Sequence, residues 1–194
     1  MYDYISGTVA SLSPTHVVID NGGVGYLIAI SLQTYAALDG AERTKLYIHQ
    51  SIREDAHLLF GFSTAREREA FQLLLSVSGV GAGTARLVLS SLTVDELQQA
   101  VATENVNVIK QVKGVGLKTA QRIVIDLRDK MLGMGGGSAQ IFAPANNTTR
   151  QEALSALTML GFARPAAEKT LDQVLKTEGD LSVEQLIKHA LKRL

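Results

Sequence analysis

Two hydrophobic periodicities divide the chain. Up to Phe62, apolar and polar residues alternate in short runs. Ile5, Thr8, Val9 and Leu12 belong to a first run, Val17-Val18-Ile19 to a second, and Tyr26-Leu27-Ile28-Ala29-Ile30 to a third. Thr44 to Ile52 forms a fourth and Leu58-Leu59-Phe60-Gly61-Phe62 a fifth. A period of two predicts strands with one buried face. Asn21-Gly22-Gly23 predicts a hairpin turn between the second and third, and Leu32 to Leu38 a short helical piece ended by Asp39-Gly40. Five short strands with one helical interruption predict a small barrel of the OB type, with an SH3-like barrel as the competing arrangement.

From Ala65 the period changes to that of a helix. Phe71, Leu74 and Leu75 form an apolar stripe against charged Arg66, Glu67, Arg68 and Glu69. A further helix runs through Leu89 to a break at Ser90-Ser91, and Thr93 with Glu96 has capping-box spacing. Helices around Glu96 to Ala102 and Val106 to Gln111 follow, then one with Ile123, Val124 and Leu127 inward and Arg122, Asp126 and Asp129 toward water. After Met131 the glycine-rich stretch from Gly133 to Ala139 cannot hold a helix, and Pro144-Ala145-Asn146-Asn147 continues its loose character. Such a tether has a reach of roughly 20–25 Å. Thr148 and Thr149 then cap a last helical set, Gln151–Leu160, Pro165–Lys176 and Ser182–Leu194, punctuated by Gly161 and Gly179, with Ser182 and Gln185 as a second capping box. The expected organisation is therefore α+β and multidomain: an OB-type barrel over 1–64, a helical domain over 65–131, a flexible linker over 132–147 and a three-helix bundle over 148–194. So small a bundle on a tether reads as a docking module, with exposed members of Leu186, Ile187, Ala190 and Leu191 as its contact residues.

The chain's chemistry is concentrated in a repeat. Val77-Ser78-Gly79-Val80-Gly81-Ala82-Gly83-Thr84-Ala85 returns 35 residues later as Val112-Lys113-Gly114-Val115-Gly116-Leu117-Lys118-Thr119-Ala120. Both fit V-x-G-V-G-x-x-T-A, and each lies between two helical runs. A Gly-apolar-Gly turn lets the backbone take positive φ and approach a ligand without an intervening Cβ. The helix that follows offers unpaired N–H groups and the positive end of its dipole, which suits a phosphate. Two such turns between helices suggest a nucleic-acid backbone held at two phosphates. The first site comprises Gly79, Val80, Gly81, Gly83, Thr84 and Arg86; the second comprises Gly114, Val115, Gly116, Lys118 and Thr119, with Lys110, Lys113 and Arg122 in reach. None of these groups reads bases, so binding is expected to be independent of sequence and sensitive to salt.

Composition and charge exclude several alternatives. A hydrophobic fraction of 46% rules out global disorder. Without cysteine there is no disulfide framework, thiolate metal site or thiol nucleophile. The N-terminus lacks a basic-then-apolar leader and no run is long enough to span a bilayer, so the cytosol is the expected compartment, with no membrane partner. Net charge is zero, but residues 1–64 hold three Lys/Arg against six Asp/Glu, and residues 65–132 nine against seven. The positive excess thus falls on the two hairpins.

Gly114 to Thr119 is not a nucleotide P-loop, because Leu117 separates Gly116 from Lys118. His16, His49, His57 and His189 stand apart without metal-ligand spacing, and no catalytic constellation or cofactor motif is visible. A nuclease or glycosylase that borrows hairpins for grip would need clustered carboxylates or a placed acid or Lys. A single-strand-binding OB protein would need more stacking platforms than 5% aromatic residues supply. Between the fourth and fifth runs, Arg53-Glu54-Asp55-Ala56 is either a polar tip kept in water or a negative projection aimed at an anion.

Together these parts resemble the RuvA family of Holliday-junction-binding subunits over nearly the whole chain. Gly22-Gly23-Val24-Gly25-Tyr26, the Arg53–Ala56 tip with Leu58 to Phe62, both nonapeptides, and Glu152-Ala153-Leu154 with Leu160-Gly161-Phe162 carry the resemblance. It implies an OB-fold first domain, a tandem helix-hairpin-helix second domain and four subunits in a flat plate; two plates can sandwich an open four-way DNA junction as an octamer. It also implies hairpins on minor-groove phosphates and an acidic pin of Glu54 and Asp55. The third domain is then expected to recruit the hexameric ATPase RuvB, with the resolvase RuvC in the larger complex and no catalysis by this chain. Gly83 departs from the lysine frequent in that family, and Leu117 from a basic residue. Arg86, Lys110 or Lys113 would then supply the charge.

Overall fold

The computed structural model describes residues 1–134, 145–179 and 181–194. Five strands form a closed barrel: β1 (Tyr4–Leu12), β2 (His16–Asn21), β3 (Val24–Ile30), β4 (Arg43–Ile52) and β5 (His57–Phe62), in the order β1-β2-β3-β5-β4. Helix α1 (Leu32–Ala37) links β3 to β4. β1 pairs antiparallel with both β2 and β4, and β5 closes the wall by pairing parallel to β3 at Ile28↔Leu59, Ala29↔Phe60 and Ile30↔Gly61. This crossover through a helix, followed by a parallel closing strand, is the OB arrangement and removes the SH3-like alternative. Inward residues of alternate positions make the barrel core: Ile5, Val17, Ile19, Ile28, Ile30, Leu46 and Ile48 are all buried. The strands come so close at Gly61 that a Cβ there would stand 2.6 Å from Ile28 Cγ2, so only glycine lets β5 dock on β3.

β5 faces two cores. Phe60 and Phe62 point away from the barrel interior into the helical core, where their ring centroids lie 5.2 and 4.9 Å from that of Phe71 on α2 (Ala65–Leu75). Beyond α2 come α3 (Ala82–Ser91), α4 (Val94–Ala102), α5 (Val106–Lys110) and α6 (Leu117–Gly133). Thr93 and Glu96 form the expected capping box on α4. The stripe reading of α2 fails at one residue. Glu67 is 4% exposed rather than facing water. Its carboxylate accepts hydrogen bonds from the hydroxyls of Ser31, which caps α1, and of Thr34, the latter at 2.7 Å. A buried carboxylate is tolerable because hydroxyl donors replace its water.

His49 lies at the same seam, its ring centroid 5.3 Å from that of Phe71. Partial burial, assisted by the nearby Arg68 guanidinium, lowers its pKa below the ordinary histidine value. The unfolded chain therefore binds the proton more readily than the folded one. The stabilising contribution is complete above the ordinary value near pH 6.5 and is lost as pH falls from there through the lowered folded-state value. Denaturant midpoints measured from pH 5 to pH 8 should show this fall, and His49→Gln should flatten it.

The chain divides into two compact units, Met1–Gly136 and Gly137–Leu194. In the second, α7 (Ala145–Met159), α8 (Arg164–Glu178) and α9 (Val183–Leu191) surround buried Ala153, Leu157, Ala167, Leu171, Val174, Leu186 and Ala190. Ser182 and Gln185 form the second capping box. Most of the expected linker, residues 135–144, lies outside the described residues. At its margins the helices run further than the sequence predicts. α6 includes Gly133 and α7 begins at Ala145, because poor helix formers are tolerated in terminal turns. Leu186 and Ala190 are fully buried and so are not contact residues; one turn apart on α9, they face α7 and α8. Ile187 is half-buried and Leu191 is 43% exposed.

Candidate nucleic-acid interface

Each position of the repeated nonapeptide has a physical task. Val77, Val80 and Ala85 are buried, as are their counterparts Val112, Val115 and Ala120. The Val80 N–H donates to the Val77 carbonyl at 3.0 Å, and the Val115 N–H to the Val112 carbonyl at 3.0 Å. Both turns are closed by these bonds around Gly79 and Gly114, each at φ +88°. Positive φ at the third residue of a four-residue turn is the type II geometry, which an L side chain resists. Val80 and Val115 therefore hold the hairpins together from within. Contrary to the sequence expectation, they offer no phosphate contact, since their side chains are inside and their N–H groups already bonded.

The second glycines serve differently. Gly81 and Gly116 are the N-caps of α3 and α6, at φ −91° and −77°, without a side-chain cap. An added Cβ would meet nothing within 4 Å at Gly81, Gly83 or Gly116. The fold therefore leaves these positions open, and no cap competes for the first-turn N–H groups, since the first intrahelical bonds are Ala85 to Gly81 and Ala120 to Gly116. Exposed backbone donors at a helix start are an anion site in waiting. Gly79→Ala should cost about 1–2 kcal/mol of stability through its positive φ, whereas Gly81→Ala should fold as well as the parent and lose DNA affinity. Thermal melts and DNA titrations of the two variants separate these effects.

The two hairpins lie side by side. Arg122 on α6 reaches across, with Nη1 3.4 Å from Ser78 Oγ in the first turn, and Lys130 Nζ lies 3.1 Å from Ser76 Oγ. Lys110, Lys113 and Lys118 are exposed around the second turn, and Thr84 and Thr119 are half-buried in the first turns of their helices. Arg86 is placed less freely than its sequence position implied, because Nη1 donates to the Thr15 carbonyl of the barrel at 3.0 Å. Glu54 and Asp55 are exposed at the β4–β5 tip, where the Arg53 N–H donates to the Ala56 carbonyl at 2.8 Å and closes the turn. Sequence reasoning did not foresee that the barrel adjoins the first hairpin. Arg53 and His16 line a cleft against Ala82 and Gly83 of the first hairpin. No cluster of metal-ligating side chains occurs among the described residues.

A closed OB barrel fused to paired hairpins with open helix starts defines a tandem helix-hairpin-helix, DNA-binding class of protein. Family models agree in the same order: the RuvA N-terminal domain matches residues 1–61, the SAM-like helix-hairpin-helix tandem residues 71–129, and the RuvA C-terminal domain residues 148–194. The chain is 49% identical to the Holliday junction branch migration complex subunit RuvA of Bacteroides fragilis and 51% identical to that of Bacteroides thetaiotaomicron, over the full length of each. It is 45% identical to that of Christiangramia forsetii, again end to end. The chain belongs to the RuvA family.

Proposed function

We propose that this chain binds four-way DNA junctions through their backbones, without regard to base sequence, and delivers them to the ATPase RuvB for branch migration. One observation carries the reading: two hairpins of the same geometry, bridged by Arg122, each present a bare helix start, the second beside exposed Lys113 and Lys118. Their contacts suit phosphates. One such pair grips a duplex arm. Four copies around an axis would grip four arms and select a junction by geometry, so the working form is a homotetramer, doubled to an octamer when two plates enclose the DNA. The exposed Glu54-Asp55 tip is the acidic pin, which repels phosphates and keeps exchanging strands apart. ATP turnover belongs to RuvB, junction cleavage to RuvC, and the assembly to the bacterial cytoplasm. A gel shift of a synthetic four-way junction against linear duplex of the same arm sequences, at two salt concentrations, tests the reading. A junction preference that survives sequence changes supports it; equal affinity for both DNAs sinks it.

In the second unit, the docking face for RuvB lies at the end of α7. There Met159 is 89% exposed and Leu160 61%, while the bundle's own core is complete without them. Large apolar side chains left so bare at one helix end suit a hydrophobic partner. Met159→Glu with Leu160→Glu should leave junction binding unchanged and reduce RuvB capture at least tenfold in a pull-down.

A further inference from the structure

The two hairpins are unequal in charge. Gly83 holds the α3 position that Lys118 holds in α6. The barrel faces that gap. A cleft of about 290 Å³ separates it from the start of α3, lined by His16, Ser51, Arg53, Phe60, Gly83 and Arg86 among others. Two of its lining residues, Arg53 and Arg86, are cationic and none is acidic, in a chain whose net charge is zero. Elsewhere in the same unit, Arg66, Arg68 and Arg128 are ion-paired with Asp95, Asp3 and Glu104. Among the described residues, Arg53 and Arg86 have no carboxylate partner. The Arg86 anchor is firm: the Thr15 carbonyl that accepts from Nη1 also accepts the Ile30 N–H at 3.0 Å. A guanidinium has five N–H donors, so this bond leaves four for a ligand.

We infer that this cleft is a phosphate subsite for the DNA strand held by the first hairpin, with the barrel's Arg53, joined by Arg86, supplying the cation that the hairpin lacks. The inference rests on the junction-binding reading above and adds a DNA contact outside the hairpins. Guanidinium groups pair with phosphate oxygens through two parallel N–H donors, which a cleft open to solvent on one side permits. Arg53 directly precedes Glu54 and Asp55, so attraction changes to repulsion within one residue step along the β4–β5 tip. A strand seated in the cleft is thereby held at the edge of the acidic projection.

The experiment is a salt titration of the full chain on a synthetic four-way junction, with Arg53→Gln, Arg86→Gln, Lys118→Gln and the double variant Arg53→Gln/Gly83→Lys. Each lost phosphate contact should lower the slope of log affinity against log salt by about 0.9 per bound chain. Arg53→Gln is expected to lose that slope and about tenfold in affinity, as Lys118→Gln does. Gly83→Lys should restore most of the loss, because its side chain enters the same cleft from the opposite wall and its Cβ has clear space. Parental slope and affinity in both arginine variants, alongside a loss in Lys118→Gln, would overturn the inference while the junction reading stands. Loss in Arg53→Gln without rescue by Gly83→Lys would also overturn it, since that marks a structural role. Equal binding of junction and duplex by the parent chain would remove the junction reading, and this inference with it.

Discussion

Lys118→Glu should weaken four-way-junction binding by about 10- to 150-fold per bound chain while the protein melts no earlier than its parent. The binding loss follows from the bond removed, since a hydrogen bond to a charged group contributes about 1.5–3 kcal/mol, or one to two decades of affinity. Reversing the charge adds repulsion at the same phosphate. The stability outcome follows from position. Lys118 is exposed in the first turn of α6, whose N-cap Gly116 makes no side-chain bond. A carboxylate there complements the helix dipole and the free N–H groups, so folding gains slightly as DNA binding collapses. A gel shift and a thermal melt on the same preparation check both halves. An earlier melting transition would mean that the lysine has a structural part, and undiminished binding would remove it from the interface.

Glu67→Ala should cost about 2–4 kcal/mol of stability, because it leaves buried hydroxyls without their acceptor and opens a cavity. Ser31 and Thr34 both donate to this carboxylate, and neither has an easy substitute. The Ser31 oxygen already receives the Thr34 N–H at 3.0 Å, and the Thr34 hydroxyl oxygen receives the Ser63 N–H at 3.0 Å. Their protons therefore point toward Glu67 by elimination. Glu67→Gln keeps one acceptor oxygen and presents an amide donor to the other hydroxyl, so its cost should fall between parent and alanine. Urea midpoints of the three proteins give the order directly. Equal midpoints for alanine and parent would show that the carboxylate only fills space. DNA affinity of the folded fraction should be little changed, since Glu67 bonds only within the barrel–α2 seam and not to either hairpin turn.

The two variants mark what the sequence made legible. The hairpins were readable because the chain repeats itself: identical offsets at Val77 and Val112, Gly79 and Gly114, Gly81 and Gly116 disclose a motif without any neighbour being known. What the repeat could not disclose is which of its residues look outward, and Val80 and Val115 look inward. Glu67 was misread for a related cause. Periodicity assigns a charged residue to water, whereas its hydroxyl partners lie 33 and 36 residues away in the chain. Five strands were legible, but the parallel pairing of β3 with β5 that separates an OB barrel from its competitor is a long-range fact. On α9, apolar Leu186, Ile187, Ala190 and Leu191 fill two adjacent stripes, so the sequence alone leaves the buried stripe undetermined. The acidic tip was visible as a charge run. That its neighbour Arg53 lines a cleft against Gly83, 30 positions away, was not.

β5 bears on how this part of the chain comes apart. By its hydrogen bonds it is the strand that closes the barrel, and by Phe60 and Phe62 it belongs to the core of the hairpins. Neither layer can open alone: releasing the helices strands two large aromatic rings in water, and opening the barrel removes the wall on which Phe71 rests. The change from strand to helix near residue 64 is therefore a boundary in chain order and not in free energy. The hairpins and the barrel should therefore make up one cooperative foldon, with amide protons in β5 and α2 expected to exchange through the same global opening. The Glu54-Asp55 tip and the hairpins should thus keep a fixed relation for as long as this unit is folded.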